Sequence, residues 1–196
     1  MKQKKYLILR QQEMNKKVML QDIKEIVFTK EDIQKKVNEL ASKITSDYKG
    51  KDLIVVGILK GSVLFMVDLL KEIDLPCKID FMMVSSYGNS TESSGKPKII
   101  KDLEYSIENK DILIVEDIID SGITLEFLLE YLKDRKANSV EIVTLLNKTE
   151  RRKADINIKY SGFKAPNEFL VGYGMDYAEK YRNLPFIGVL KPEIYE

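Results

Sequence analysis

Histidine is absent from all 196 residues of the chain, which removes His-based triads, imidazole general bases and His metal clusters from its chemistry. Carboxylates, lysine, tyrosine or a bound metal ion are left to carry any reaction. Cysteine occurs once, at Cys77, so no intramolecular disulfide forms and the composition suits a reducing cytosol. No sign of charge dominates either. With 32 basic and 31 acidic residues the net charge is +1, and nothing global recruits nucleic acid or an anionic membrane. Long apolar runs are also missing: the start, "MKQKKYLILRQQEM", offers only the stretch from Tyr6 to Leu9, too short for a signal-peptide core. A soluble, cytoplasmic protein without membrane or nucleic-acid partners is expected. Residues 1–17 read as a flexible extension, with Met14 an alternative start.

What is present alternates in pattern. Thr29 with Asp32 three residues on marks a helix start, and Ile33, Val37, Leu40, Ala41 and Ile44 follow at helical spacing up to Lys49-Gly50. "LIVVGIL" (53–59), "CKIDFMMVSS" (77–86), "DILIVE" (111–116), "SVEIVTLL" (139–146), "INIKYSG" (156–162) and "FLVGYG" (169–174) read as strands. "SVLFMVDLLKEI" (62–73) and a stretch from about Thr124 to Lys133 read as helices. Continuous apolar strands alternating with helices predict an α/β fold with a parallel sheet covered on both faces. No repeat and no Pro- or Gly-rich linker divides the chain, so residues 18–196 are expected to be one domain. The polar stretch "SSYGNSTESSGKP" (85–97) is long for a connection in such a domain and reads as a mobile lid or binding loop.

"ILIVEDIIDSGIT" (112–124) carries the chemistry. In an open α/β sheet, ligands sit beyond the carboxyl ends of the strands. There Ser121, Gly122 and Thr124 lead into a helix, whose free N–H groups and dipole suit a phosphate dianion. Glu116 and Asp117, at the expected strand terminus, can accept hydrogen bonds from the hydroxyls of a ribose. A capped helix start with solvated acids fits the same letters equally well. A receiver-domain reading fails, because that acidic pair should close the first strand and be followed by an aspartate closing the third. A Walker-type reading fails because no G-x-x-x-x-G-K-[ST] occurs, and "GYGMDY" is not G-x-G-x-x-G.

"VEDIIDSGIT" resembles the phosphoribosyl-diphosphate motif of the type I phosphoribosyltransferases. With "ILKGS" (58–62), "SSYG" (85–88), "LLNK" (145–148) and "EFLVGYGMDYAEKYRNLPFIGVL" (168–190), the chain is similar to their bacterial hypoxanthine-guanine branch from about Val18 to Leu190. The resemblance implies a parallel twisted sheet flanked by helices, with a small hood from N- and C-terminal segments. It implies purine salvage with Mg²⁺: N9 of a 6-oxopurine attacks C1 of 5-phosphoribosyl-1-diphosphate, pyrophosphate leaves, and IMP or GMP forms.

Residue roles follow by the same resemblance. Glu116 and Asp117 hold the ribose hydroxyls, Asp120 sits near purine N7, and Asp120, Ser121, Gly122, Ile123 and Thr124 bind the 5-phosphate. Lys148 donates to the purine 6-oxygen, Phe169 stacks on the base, and the backbone of Leu170 reads its ring edge. Asp176 is a metal-linked acid, with Glu116 and Asp117 the other acids toward the ion. Lys60, Gly61 and Arg182 contact pyrophosphate, and a cis peptide joins Leu59 to Lys60. Ser86 and Tyr87 belong to the closing loop. A homodimer or homotetramer is implied. Ser62 and Ile123 depart from some relatives, which carry Gly and Lys there. A non-catalytic regulator on the same fold, binding nucleotide or nucleic acid, is the alternative.

Overall fold

The computed structural model describes residues 19–85 and 97–196. The proposed extension at 1–17 and the loop residues Ser86 and Tyr87 lie outside them. Two compact units divide the chain: a larger one over Glu31–Asn167, and a smaller one from the residues up to Lys30 together with Glu168–Glu196.

In the larger unit, the apolar runs become strands because each is flanked by others of its kind. β2 (Leu53–Leu59), β3 (Lys78–Ser85), β4 (Lys98–Lys101), β5 (Asp111–Ile119), β6 (Ser139–Asn147) and β7 (Tyr160–Lys164) form one sheet in the order β4-β3-β2-β5-β6-β7. Five of them run parallel. The edge strand β4 is antiparallel to β3, so the sheet is mixed where a parallel one was expected. Helix α1 (Lys30–Asp47) buries the five-residue stripe Ile33, Val37, Leu40, Ala41 and Ile44, and Glu31 and Asp32 face its positive N-terminal end. Helix α2 (Val63–Glu72) packs on the face of the sheet where Gly57 lies. Met66 Sδ occupies the space a side chain at Gly57 would need. Helix α3 (Ile123–Asp134) places Leu125, Leu128 and Leu132 in a cluster with Ile54, Val56, Ile112, Ile114 and Ile142, alternate residues of one sheet face. Among the described residues no helix is long and apolar enough to cross a membrane.

The smaller unit pairs both ends of the sequence. β1 (Ile23–Phe28) lies antiparallel to β9 (Ile187–Leu190), which pairs on its other side with β8 (Leu170–Val171). A core of Val171, Tyr181, Leu184 and Leu190 underlies them, and a short 3-10 turn at Pro192–Ile194 follows.

Three sequence expectations shift. β5 continues past the acidic pair to Ile119, because β6 offers ladder partners as far as Asn147. β7 begins at Tyr160, not Ile156; Ile156 and Ile158 instead pack against the core cluster under α3. "FLVGYG" is strand only at Leu170 and Val171, because φ of 99°, 47° and 101° at Gly172, Tyr173 and Gly174 turns the chain out of extended geometry. The Leu59–Lys60 peptide is cis, as the resemblance implied.

Candidate active site

The carboxyl ends of β2, β5 and β6 converge because the three strands are neighbours in the sheet. Each delivers a different functional segment. After β2, Ser62 Oγ donates to the carbonyl of Ile58 at 2.6 Å and pins the tight Lys60-Gly61 turn in front of α2. Gly61 packs onto the carboxylate of Asp117: a Cβ there would lie 2.7 Å from Asp117 Cγ and nearer still to Oδ2. No other residue lets that turn and that acid lie so close.

β5 ends on the acids. Glu116 is only half-buried as a residue, but its Oε2 is shut off from solvent with no hydrogen-bond partner among the described residues. Burial, and then the negative charge of Asp117, raises the Glu116 carboxyl well above the usual carboxylate range. Asp120 follows the strand. Its Oδ1 is also buried without a partner, while Oδ2 lies 3.7 Å from Arg151 Nη1. Such atoms cost about 1–3 kcal/mol each when unsatisfied, and polar oxygens held this way are the mark of a site prepared for a ligand.

The chain then turns into α3. Gly122 adopts φ 83°, and the N–H of Glu126 closes the first helical bond to its carbonyl at 2.9 Å. Ser121 Oγ accepts from the Ile123 N–H at 3.5 Å, and no side chain caps the helix at Gly122. The first turn thus presents backbone N–H groups and the positive dipole end, as an anion site requires.

The segment after β6 braces this turn from behind. The N–H groups of Lys153 and Ala154 donate to Ser121 O at 2.9 and 3.1 Å, and Arg152 Nε donates to Asp120 O at 3.3 Å. Arg152 Nη2 also donates to Asn147 Oδ1 at 2.6 Å. Arg152 stands in the charged run Glu150-Arg151-Arg152, but its half-burial and these bonds make it a structural brace. Lys148 is anchored by its own N–H to Ile119 O at 2.9 Å, and the residue is 92% buried. A buried lysine is rare unless its ammonium is paired.

The smaller unit holds Phe169, Leu170, Asp176 and Arg182. β8 is the edge of its sheet. The Leu190 N–H donates to Phe169 O at 2.9 Å, which makes 169 and 190 a hydrogen-bonded pair. Leu170, opposite Val189, is therefore at a non-hydrogen-bonded position, and its N–H and C=O turn away from β9 toward the open edge. Phe169 is 37% exposed. Asp176 Oδ1 lies 2.8 Å from Arg182 Nη2, and its Oδ2 accepts from the Glu179 N–H at 2.9 Å. Arg182 Nη1 donates to Gly174 O at 2.8 Å, and its Nε is buried without a partner. Lys60, Gly61, Glu116, Asp117, Asp120 to Thr124 and Lys148 thus gather in the larger unit. Phe169, Leu170, Asp176 and Arg182 belong to the smaller one.

The donor set suits a hard cation. Carboxylates without Cys or His favour Mg²⁺, and the orphaned Glu116 Oε2 beside Asp117 offers oxygen to it. Among the described residues no group of three or more Asp, Glu, Cys or His gathers to hold a metal.

A mostly parallel sheet whose central strand runs through two acids into a phosphate-ready helix start defines a phosphoribosyltransferase. Residues 25–178 match the phosphoribosyl transferase domain family, and the chain belongs to it. Within that family it groups with the hypoxanthine-guanine phosphoribosyltransferases. That of Staphylococcus aureus (strain Mu50 / ATCC 700699) is 60% identical over 177 residues, covering 90% of this chain and 99% of the relative. That of Bacillus subtilis (strain 168) is 57% identical over 179 residues, covering 91% and 99%. A crystal structure of a hypoxanthine phosphoribosyltransferase from S. aureus superposes with a TM-score of 0.87 at 60% identity, covering 91% of this chain and 97% of that one.

Proposed function

We propose that the chain transfers the phosphoribosyl group of 5-phosphoribosyl-1-diphosphate to N9 of hypoxanthine or guanine, giving IMP or GMP and pyrophosphate in purine salvage. The observation that carries this reading is the end of β5. Two adjacent acids, one with a buried unpartnered oxygen, pass through Asp120 into a helix start with no side-chain cap, and Lys148 is tied by its N–H to the same strand.

The 5-phosphate binds at Ser121, Gly122, Ile123 and Thr124, where the helix N-terminus neutralises part of its charge. Glu116 and Asp117 accept from the ribose hydroxyls. As the bond from C1 to pyrophosphate stretches, positive charge develops on the ribose, and these carboxylates stabilise it. Lys60, the Gly61 backbone and Arg182 receive the pyrophosphate. Lys148 donates to the purine 6-oxygen, Phe169 stacks on the ring, and Leu170 exchanges backbone hydrogen bonds with the ring edge. Asp120 takes or shares the proton at N7. Glu116, Asp117 or Asp176, together with substrate oxygens, would hold Mg²⁺, which when bound would supply charge neutralisation for the leaving pyrophosphate. The enzyme works in the cytoplasm as a homodimer or homotetramer.

Incubation with hypoxanthine, 5-phosphoribosyl-1-diphosphate and Mg²⁺ is expected to yield IMP. Nucleotide binding without any turnover would favour the regulator reading instead.

The contact between Gly61 and Asp117 gives a sharper expectation. In Gly61→Ala the new methyl displaces the Asp117 carboxylate, and a misfit of about 1–3 kcal/mol raises the KM for 5-phosphoribosyl-1-diphosphate by roughly tenfold or more. In an Asp117→Ala background the same change should add little, because the clash is gone. Equal effects in both backgrounds, measured by steady-state kinetics, would show that the two residues act independently.

A further inference from the structure

Phe169 does not stand alone. The Tyr195 ring lies 4.9 Å from it at 25°, in an offset stack, and Tyr177 meets it edge-on at 5.6 Å and 89°. The centroids of Tyr177 and Tyr195 are only 6.4 Å apart. The three centroid distances place the two tyrosines less than a right angle apart as seen from Phe169, on the same side of its ring centre. One face of Phe169 is therefore backed by tyrosine, and the residue still keeps 37% of its surface exposed.

The backbone places Tyr195 there for definite reasons. Leu190 is registered to Phe169 by its N–H bond, and the Lys191 N–H donates to Asp22 O at 2.9 Å. Pro192 then opens a 3-10 turn, whose fixed φ suits a first helical position. The N–H groups of Ile194 and Tyr195 donate to Lys191 O and Pro192 O at 3.1 and 3.0 Å. The tail is thus folded back onto the strand that carries Phe169. Residues past Leu190 lie outside the motifs that identify the family, and nothing in the sequence alone singles Tyr195 out.

We propose that Tyr195 is a positioning residue of the purine subsite: it backs one face of Phe169 and fixes the ring so that the opposite face receives the base. The inference rests on the purine role of Phe169 in the function proposed above. A phenyl ring with two free faces rocks about χ2 and loses part of its stacking in doing so. An aromatic neighbour that holds it is worth about 0.5–1.5 kcal/mol, or roughly three- to tenfold in affinity. The Tyr195 hydroxyl has no part in this, so phenylalanine should serve as well as tyrosine.

The test is steady-state kinetics of the full chain with hypoxanthine and 5-phosphoribosyl-1-diphosphate varied separately. Tyr195→Ala should raise the KM for hypoxanthine about three- to tenfold. The KM for 5-phosphoribosyl-1-diphosphate should stay within about twofold, and Tyr195→Phe should match the unaltered protein. Tyr195→Leu, which keeps bulk without an aromatic face, should fall between them and serves if the alanine variant does not fold. An unchanged KM for hypoxanthine in both the alanine and leucine variants would overturn the proposal. So would a lowered one, which would mean that Tyr195 competes with the base for Phe169. A parallel rise in both KM values would reduce Tyr195 to a general structural role and overturn it too. Absence of IMP formation by the unaltered protein would instead strike the proposed reaction itself.

Discussion

Asp120→Asn is expected to lower kcat by about 10²-fold or more, the scale of a general acid–base contribution, while Mg²⁺-dependent binding of 5-phosphoribosyl-1-diphosphate should survive. The substitution keeps shape and removes only charge and basicity. Oδ1 of Asp120 is buried without a partner and its other oxygen sits 3.7 Å from an exposed arginine, so little in the fold depends on the carboxylate. The phosphate turn does not depend on it either: that turn is held through the Asp120 and Ser121 carbonyls by Arg152, Lys153 and Ala154. A fall in kcat with binding preserved is the signature of an interaction made chiefly in the transition state. Unchanged kcat in single-turnover assays would remove Asp120 from the chemistry.

Lys148→Met carries the second large effect, and it acts on choice of base. Lysine offers only N–H donors, which match the 6-oxygen of hypoxanthine or guanine and oppose the exocyclic amine of adenine. In the proposed purine subsite the backbone groups of Leu170, which turn to the open edge of β8, would add a second filter. A 6-oxopurine N1–H can donate to a carbonyl there, whereas adenine N1 would face it with no proton between them. Each such mismatch costs about 1–3 kcal/mol when buried, so together they should disfavour adenine by roughly 10²- to 10⁴-fold in kcat/KM. Phe169 cannot supply this selectivity, because stacking accepts any purine. The native protein should therefore use adenine poorly. Lys148→Met should lose most hypoxanthine activity, and the ratio of the two substrates should narrow. Comparable kcat/KM for adenine and hypoxanthine in the unaltered protein would rule out this role for Lys148.

The core of the larger unit was legible because burial on both faces leaves a plain trace. "LIVVGIL" and "SVEIVTLL" became strands where expected, and the α1 stripe is buried at every residue the spacing picked out. The elements that sequence reading missed are short or make few apolar demands. β1 reads IKEIVF, with Ile26 half exposed, and β4 is four residues whose Ile100 faces solvent. Neither carries a pattern that periodicity can separate from a loop; partner strands far along the chain define them. Within the site, the acids and the Ser-Gly turn announced themselves by chemistry at a strand end. The acids' place inside the strand depended on how far β6 extends beside them. Arg152 and Tyr195 escaped notice because their partners, the Asp120 carbonyl and the Phe169 ring, are far away in sequence.

The pairing of β1 with β9 also governs how the molecule is made. Ile23 and Phe28 pair with Leu190 and Ile187, so the smaller unit holds the longest loop closure among the described strand pairs, and contacts of that kind form late. The larger unit, Glu31–Asn167, draws its sheet from one continuous stretch of chain and can assemble while synthesis continues. Until residues 187–190 have emerged, β1 waits as a strand with no edge to join. Phe169, Leu170, Asp176 and Arg182 wait with it, so a ribosome-bound chain is expected to gain its phosphate-binding turn before it can choose a base.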